Sequence, residues 1–285
     1  MDTKNFSVSA LCETGLVKKT NQDNILVKIG EENGNEFGLF IVADGMGGLS
    51  HGDSASSIII DEFSKWWNDS LPQILMQESN NMSVNISNSL DSMILKTNSM
   101  IIDLGNFLNT KIGSTLSLLF LYQDSYIIKH VGDSRIYIVN KTVDLLTEDH
   151  SWVHDQVKEA RLTPQEAKSH PKRNVLTNCI GIYENVEWFE KINRFSSNDS
   201  FILCSDGFHN YIEEKEILES ISNYFDNSDI SIDDIIKNFY ETVKKRGAGD
   251  NVSIIIACNN KKKNFHKLLI KRFAKIFGGK NNNEF

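Results

Sequence analysis

Apolar residues recur along this chain with two different spacings, and the spacing switches several times. Positions 6–11 alternate apolar and polar, 25–29 are apolar and β-branched, and 37–43 are a nearly unbroken apolar run. Alternation and short apolar runs predict strands. The polar stretch GEENGNEFG separates the last two as a turn. The period then lengthens. Ile58, Ile59, Phe63 and Trp66 predict a helix over 54–67 behind an Asp/Ser start. A polar loop around Asn80 and Asn81 follows. Ile86, Leu90, Ile94, Ile101, Leu104 and Leu108 then predict a long amphipathic helix over 86–108. Strands return at 114–122, 125–131 and 135–139, separated by short polar turns as in an antiparallel meander. Residues 151–170 read as a small helical insertion, with Pro164 in a first turn after Thr163. Strands over 186–195 and 200–204, helices over 213–222 and 231–245, and a buried strand over 252–258 complete the chain. Repeats and Pro/Gly-rich linkers are absent, which favours one domain. Many short antiparallel strands with two helical groups suggest a layered α+β sandwich.

Composition narrows the picture. The chain has 285 residues, 40% of them hydrophobic, enough for a sizeable core. Its net charge of -8 argues against general nucleic-acid binding. That charge is unevenly spread: residues 261–285 hold eight Lys or Arg and one acid. The four cysteines (Cys12, Cys179, Cys204, Cys258) lack zinc-ligand spacing and read as core thiols rather than a disulfide framework. No signal-peptide pattern and no membrane-length apolar run are present, so a cytoplasmic protein is expected.

Five aspartates stand at strand edges: Asp23, Asp44, Asp133, Asp206 and Asp250. Singly, each reads as a turn residue. Together they mean more, because strand ends from distant segments of a sandwich converge at one rim. Carboxylates meeting there would repel and raise one another's pKa unless a counter-charge were present. An all-oxygen set points to hard ions such as Mg²⁺ or Mn²⁺. Two ions bridged by one carboxylate make the clamp used in phosphoester chemistry.

The motifs GLVKKTNQDN, VADGMGG, GSTLSLLF, HVGDSRIY, LTEDHS, HPKRNVLT, LCSDGF and GDNVSIII occur in this order. In them the chain resembles the metal-dependent Ser/Thr protein phosphatases of the type 2C (PPM) family, in the compact bacterial form, from about residue 7 to 256. The resemblance implies a four-layer α-β-β-α sandwich with two antiparallel sheets and a helical flap at about 151–177. It implies a phosphatase domain over 1–260 and a basic extension over 261–285. It further implies that Asp44 bridges two catalytic metals with the Gly45 carbonyl as a further ligand. Asp206 and Asp250 hold the first metal, Asp23 acts near the second, and Asp133 with Asp206 forms a weaker third site. The implied catalytic set is Asp44, Asp206 and Asp250. The implied reaction is one-step hydrolysis of phosphoserine or phosphothreonine in proteins by a hydroxide bridging the metals, opposing a bacterial Ser/Thr kinase. A monomer is the family default. The alternative is a catalytically silent phosphoprotein-binding module of the same fold. A metal phosphodiesterase or nuclease is disfavoured by the acidic body.

The chain departs from the family pattern in several places. Lys18 stands where an arginine usually binds substrate phosphate, so charge is kept without bidentate geometry. The competing reading of Lys18 is a solvated turn lysine. Met46 replaces a proposed general-acid histidine, leaving metal-bound water or His51 for that task. Gly113, Ser114 and Thr115 read as a tight strand start, Arg135 as an anchor for its own turn, and His150 as structural. In the flap, Trp152, Arg161, Lys172 and Arg173 offer exposed contacts. Residues 261–280 place Phe265, Leu268, Leu269, Phe273, Ile276 and Phe277 on one helical face opposite Lys and Arg. Such a helix packs back on the acidic body, lies on an anionic membrane surface, or takes a protein partner.

Overall fold

The computed structural model describes residues 5–47, 52–77, 79 and 81–259. The chain begins with β1 (Phe6–Glu13), β2 (Asp23–Glu32) and β3 (Asn35–Gly47), then α1 (Gly52–Asp69), α2 (Leu71–Leu75) and α3 (Met82–Phe107). Strands β4 (Ile112–Ser114), β5 (Leu116–Tyr122), β6 (Ser125–Val131), β7 (Arg135–Val139) and β8 (Val143–Leu145) follow, with α4 (Trp152–Lys158) and α5 (Pro164–Ser169) in the insertion. The last elements are β9 (Phe189–Arg194), β10 (Ser200–Cys204), α6 (Asp206–His209), α7 (Glu214–Asp226), α8 (Ile232–Lys245) and β11 (Val252–Asn259). One antiparallel sheet has the order β1-β11-β10-β7-β8. The other runs β2-β3-β5-β6-β9, with β4 paired to the end of β3.

The two-residue period of the strands sorts side chains into layers. In β3, Leu39, Ile41 and Ala43 pack with Ile59, Phe63 and Trp66 of α1 and Leu90 and Ile94 of α3. Phe40 and Val42 face the other way, among Phe201, Leu203, Ile255 and Ala257 of the opposite sheet. The outer face of that sheet, with Ile202, Cys204, Ile254 and Ile256, packs with Ile217 and Ile221 of α7 and Ile235, Ile236 and Phe239 of α8. Three apolar interiors thus separate four layers, and the fold is the expected α-β-β-α sandwich. Burying one large side chain such as Phe40 contributes about 1.5–3 kcal/mol.

Local chemistry explains the helix starts. Ser231 with Asp234 caps α8, and Thr163 with Glu166 caps α5, where Pro164 sits in the first turn. The insertion closes on itself. Trp152 N–H donates to the Val175 carbonyl at 2.8 Å, and Ser151 bridges to Leu176. The Trp152 and His170 rings lie 4.8 Å apart, with Lys172 Nζ 4.6 Å from the indole.

The strand expected over 186–195 begins only at Phe189. The backbone just before it is bonded elsewhere: Glu187 O accepts from Asn178 Nδ2 at 2.5 Å. Helix α3 starts at Met82 rather than 86, because its first turn carries too few apolar residues to register a period. The short elements α2, β8 and α6 escape sequence reading for the same reason. All four cysteines are free thiols. Among the described residues no helix is long and apolar enough to cross a membrane. His51 and the amphipathic segment 261–280 lie outside the described residues.

Candidate active site

Strand period also explains how the aspartates gather. Asp44 continues the Phe40–Val42 side of β3, and Asp23 continues the side of β2 that carries Val27 and Ile25. Both therefore turn into the space between the sheets. They are direct partners in the β2–β3 ladder, where like charges repel. Asp133 lies in the turn between β6 and β7, Asp206 opens α6 straight after β10, and Asp250 stands two residues before β11. Asp44 feels the charges of Asp23, Asp206, Asp133 and Asp250, so one rim brings all five together.

Each is held differently. Asp44 N–H donates to Thr115 Oγ1 at 2.9 Å, and its carbonyl accepts from Thr115 N–H at 2.9 Å and Ser114 Oγ at 3.0 Å. Ser114 and Thr115 thus fix the Asp44 backbone. Asp23 is 3% exposed; its Oδ2 accepts from Ser253 Oγ at 2.7 Å, while its buried Oδ1 has no hydrogen-bond partner. The Asp133 carbonyl accepts from His209 Nε2 at 3.0 Å, tying its turn to the helix that Asp206 opens. Gly45 N–H donates to Gln22 O at 3.1 Å. A Cβ at Gly45 would stand 2.1 Å from the Gly52 carbonyl oxygen and 2.6 Å from that of Gln22, so only glycine fits.

Burial pushes the Asp23 carboxyl up to about 6, against opposing hydrogen bonds from Ser253 and Ser205. Burial and the Asp206 charge push Asp133 up to about 8, and burial and the Asp250 charge push Asp206 up to about 7. Asp44 rises well above the usual carboxylate range through burial and then the Asp23 charge. Together they form a cluster of anions short of positive charge. Among the described residues no three acidic, histidine or cysteine side chains close on one point as a finished ion cage. The donors nonetheless suit a hard divalent cation: oxygen only, mutually repelling, and with one buried oxygen left unbonded.

Lys18 Nζ pairs with Asp250 Oδ1 at 2.8 Å at the rim, while its side chain stays 44% exposed. Burial opposes its charge, but the Asp250 hydrogen bond and the charges of Asp250, Asp44 and Asp206 outweigh this and raise its pKa. Arg135 grips Asp149 through two nitrogens at 2.8 and 3.0 Å. His150 Nδ1 accepts from Gly132 N–H at 3.2 Å, and both contacts brace the Asp133 turn. Met46 sits in β3 opposite Gly113 and has no proton to give. Sequence reasoning missed Ser253 and His209. Ser253 was legible in one respect: it shares its strand side with Ile255 and Ala257, which face the sheet interior.

The protein phosphatase 2C family model matches residues 17–252. The serine/threonine phosphatase Stp of Listeria monocytogenes is 29% identical over 248 residues, 86% of this chain and 92% of that protein. Protein phosphatase PhpP of Streptococcus pneumoniae is 28% identical over 257 residues, covering 90% of this chain and 98% of its own length. The structure of the S. agalactiae serine/threonine phosphatase superposes with a TM-score of 0.77 at 29% identity, over 90% of this chain and all of the other. With a match this extensive, and with the sandwich and its acidic rim in place, the chain belongs to the protein phosphatase 2C family.

Proposed function

We propose that this chain removes phosphate from phosphoserine and phosphothreonine in proteins with the help of two divalent cations, manganese or magnesium. Asp44, Asp206, Asp250, Asp23 and the Gly45 carbonyl would hold them, and Asp133 with Asp206 offers a third, weaker place. The observation that carries this reading is the convergence of five carboxylates at one rim, one of them with a buried oxygen left without a partner. Bound there, the cations would acidify water to a nucleophile near neutral pH and offset charge on the phosphoryl oxygens.

The chain's own residues prepare for that chemistry. Ser114 and Thr115 keep the Asp44 backbone from moving as charge at the rim changes. Ser253 orients Asp23 so that one carboxylate oxygen is bonded and the other is left for a ligand. Lys18 supplies an ammonium beside Asp250, a point charge for a phosphoryl oxygen without the planar grip of a guanidinium. Residues 1–260 carry the activity, and a protein Ser/Thr kinase is its natural opponent. The names of the relatives support phosphorylated proteins as substrates.

The test is release of phosphate from a phosphothreonine peptide and from p-nitrophenyl phosphate by the full chain. Activity should require Mn²⁺ or Mg²⁺, vanish in EDTA, return when the ion is restored, and be absent in Asp44→Ala. Activity that survives both EDTA and Asp44→Ala overturns the proposal.

A further inference from the structure

The loop over 14–20 is clamped to the rim yet displays apolar side chains outward. Asn251 Nδ2 donates to Thr14 O at 2.9 Å and to Thr20 O at 3.0 Å, closing both ends of the loop with one amide. Leu16 N–H donates to Ala248 O at 3.0 Å. Gly15, at φ +78, lies against the Asp250 carbonyl so closely that a Cβ would be 2.1 Å from its oxygen. A loop tied down by three hydrogen bonds and closely packed at Gly15 has little freedom to tuck its side chains away. Leu16 and Val17 nevertheless stand 59% and 68% exposed. Among the described residues they are the only two consecutive large apolar residues in that condition. The next residue is Lys18, already at Asp250.

Scattered single exposed apolar residues need no explanation, but an adjoining pair on a braced loop beside a reactive rim does. We infer that Leu16 and Val17 form an apolar lip that receives a leucine-like side chain next to the phosphorylated residue of a protein substrate. This rests on the phosphatase reading above and refines its substrate class. Consecutive Cα atoms are about 3.8 Å apart in the loop and in an extended peptide alike. Val17 and Leu16 directly precede Lys18, so their exposed side chains stand within one and two residues of the ammonium that would meet the phosphate.

The experiment compares two phosphothreonine peptides under Mn²⁺, one with leucine and one with serine on both sides of the phosphothreonine. Wild-type chain should favour the leucine peptide by about five- to tenfold in kcat/KM, carried by KM, as partial burial of one side chain allows. In the Leu16→Ser, Val17→Ser double variant this ratio should fall to near one, at an unchanged melting temperature. The ratio is the readout, so a general loss of rate does not imitate the effect. A wild type indifferent to the flanking residue, or a double variant that keeps the preference, overturns the lip while leaving the phosphatase reading intact. Failure of the wild type on p-nitrophenyl phosphate as well overturns both.

Discussion

The middle of the space between the sheets and its end at the rim are built from the same strands by opposite rules. In the middle, Phe40, Leu119, Phe201, Leu203 and Ile255 are at most 1% exposed and wholly apolar. Two residues further along each strand side the chemistry inverts. Val42 gives way to Asp44, Leu119 to Ser117, Ile128 to His130, Leu203 to Ser205 and Ile255 to Ser253. These polar groups bond to one another: Ser117 Oγ with His130 Nδ1 at 2.9 Å, Ser253 N–H to Ser205 Oγ at 3.0 Å, Ser253 Oγ to Asp23 at 2.7 Å. Burying them thus costs little, because their hydrogen bonds are met within the protein. The carboxylates are the exception, since burial raises the pKa of four of them. The middle holds the fold together, and the rim spends part of that stability on a concentration of charge.

Substitutions at either end can break this contrast. The largest effect is expected at Asp44. Asp44→Ala should lower kcat/KM by about a thousandfold or more, about 4 kcal/mol of transition-state stabilisation, without lowering the melting temperature in EDTA. A clear fall in that temperature would mean that the rim supports the fold after all. Phe201→Ala, in the middle, should cost about 3–5 kcal/mol of unfolding free energy, read from denaturant titration.

The pH dependence comes next. Asp23, Asp206 and Asp133 have folded pKa values raised to about 6, 7 and 8. Between the unfolded carboxylate value of about 4 and these values, the folded state binds more protons than the unfolded state, so stability falls as pH rises. Buried His130 and His209, held down at about 3, act the opposite way below the unfolded histidine value of about 6.5. The metal-free chain should therefore melt at progressively lower temperature from about pH 6.5 to pH 8, and Mn²⁺ should reverse the loss at pH 8. A flat profile in EDTA would contradict the charge cluster.

Two smaller effects sharpen the comparison. Ser253→Ala removes the hydroxyl that orients Asp23 and should weaken Mn²⁺ binding about fivefold in calorimetry, about 1 kcal/mol. Ser253→Thr should keep the affinity. Lys18→Arg should raise kcat/KM for a phosphopeptide about two- to fivefold by adding a second hydrogen bond to phosphate. No change there, with normal kinetics for Lys18→Ala, would remove Lys18 from the substrate site.

Much of the architecture was legible because strands and helices impose different periods. The apolar run over 37–43 and the helical spacing through Ile59, Phe63 and Trp66 each led to the right element. The three-residue β8 and the five-residue helix α2 were invisible because neither spans enough residues to show its period, whereas the five-residue strands β7 and β10 were legible as short apolar runs between polar turns. At the rim, strand-edge position and the family motifs marked the five aspartates and anticipated that they meet. The pairing of Lys18 with Asp250 and the support from Ser253 and His209 were not readable.

Local pattern determined which segments became strands, which side of each is apolar, and where each apolar side ends in a polar residue. It did so because backbone geometry repeats every two or 3.6 residues regardless of what lies across the fold. Tertiary structure decided which ends meet. Asp23 and Asp250 are far apart in sequence, and only the order of strands across two stacked sheets sets them at one rim. Proximity between distant segments depends on packing the whole chain, and no local period encodes it.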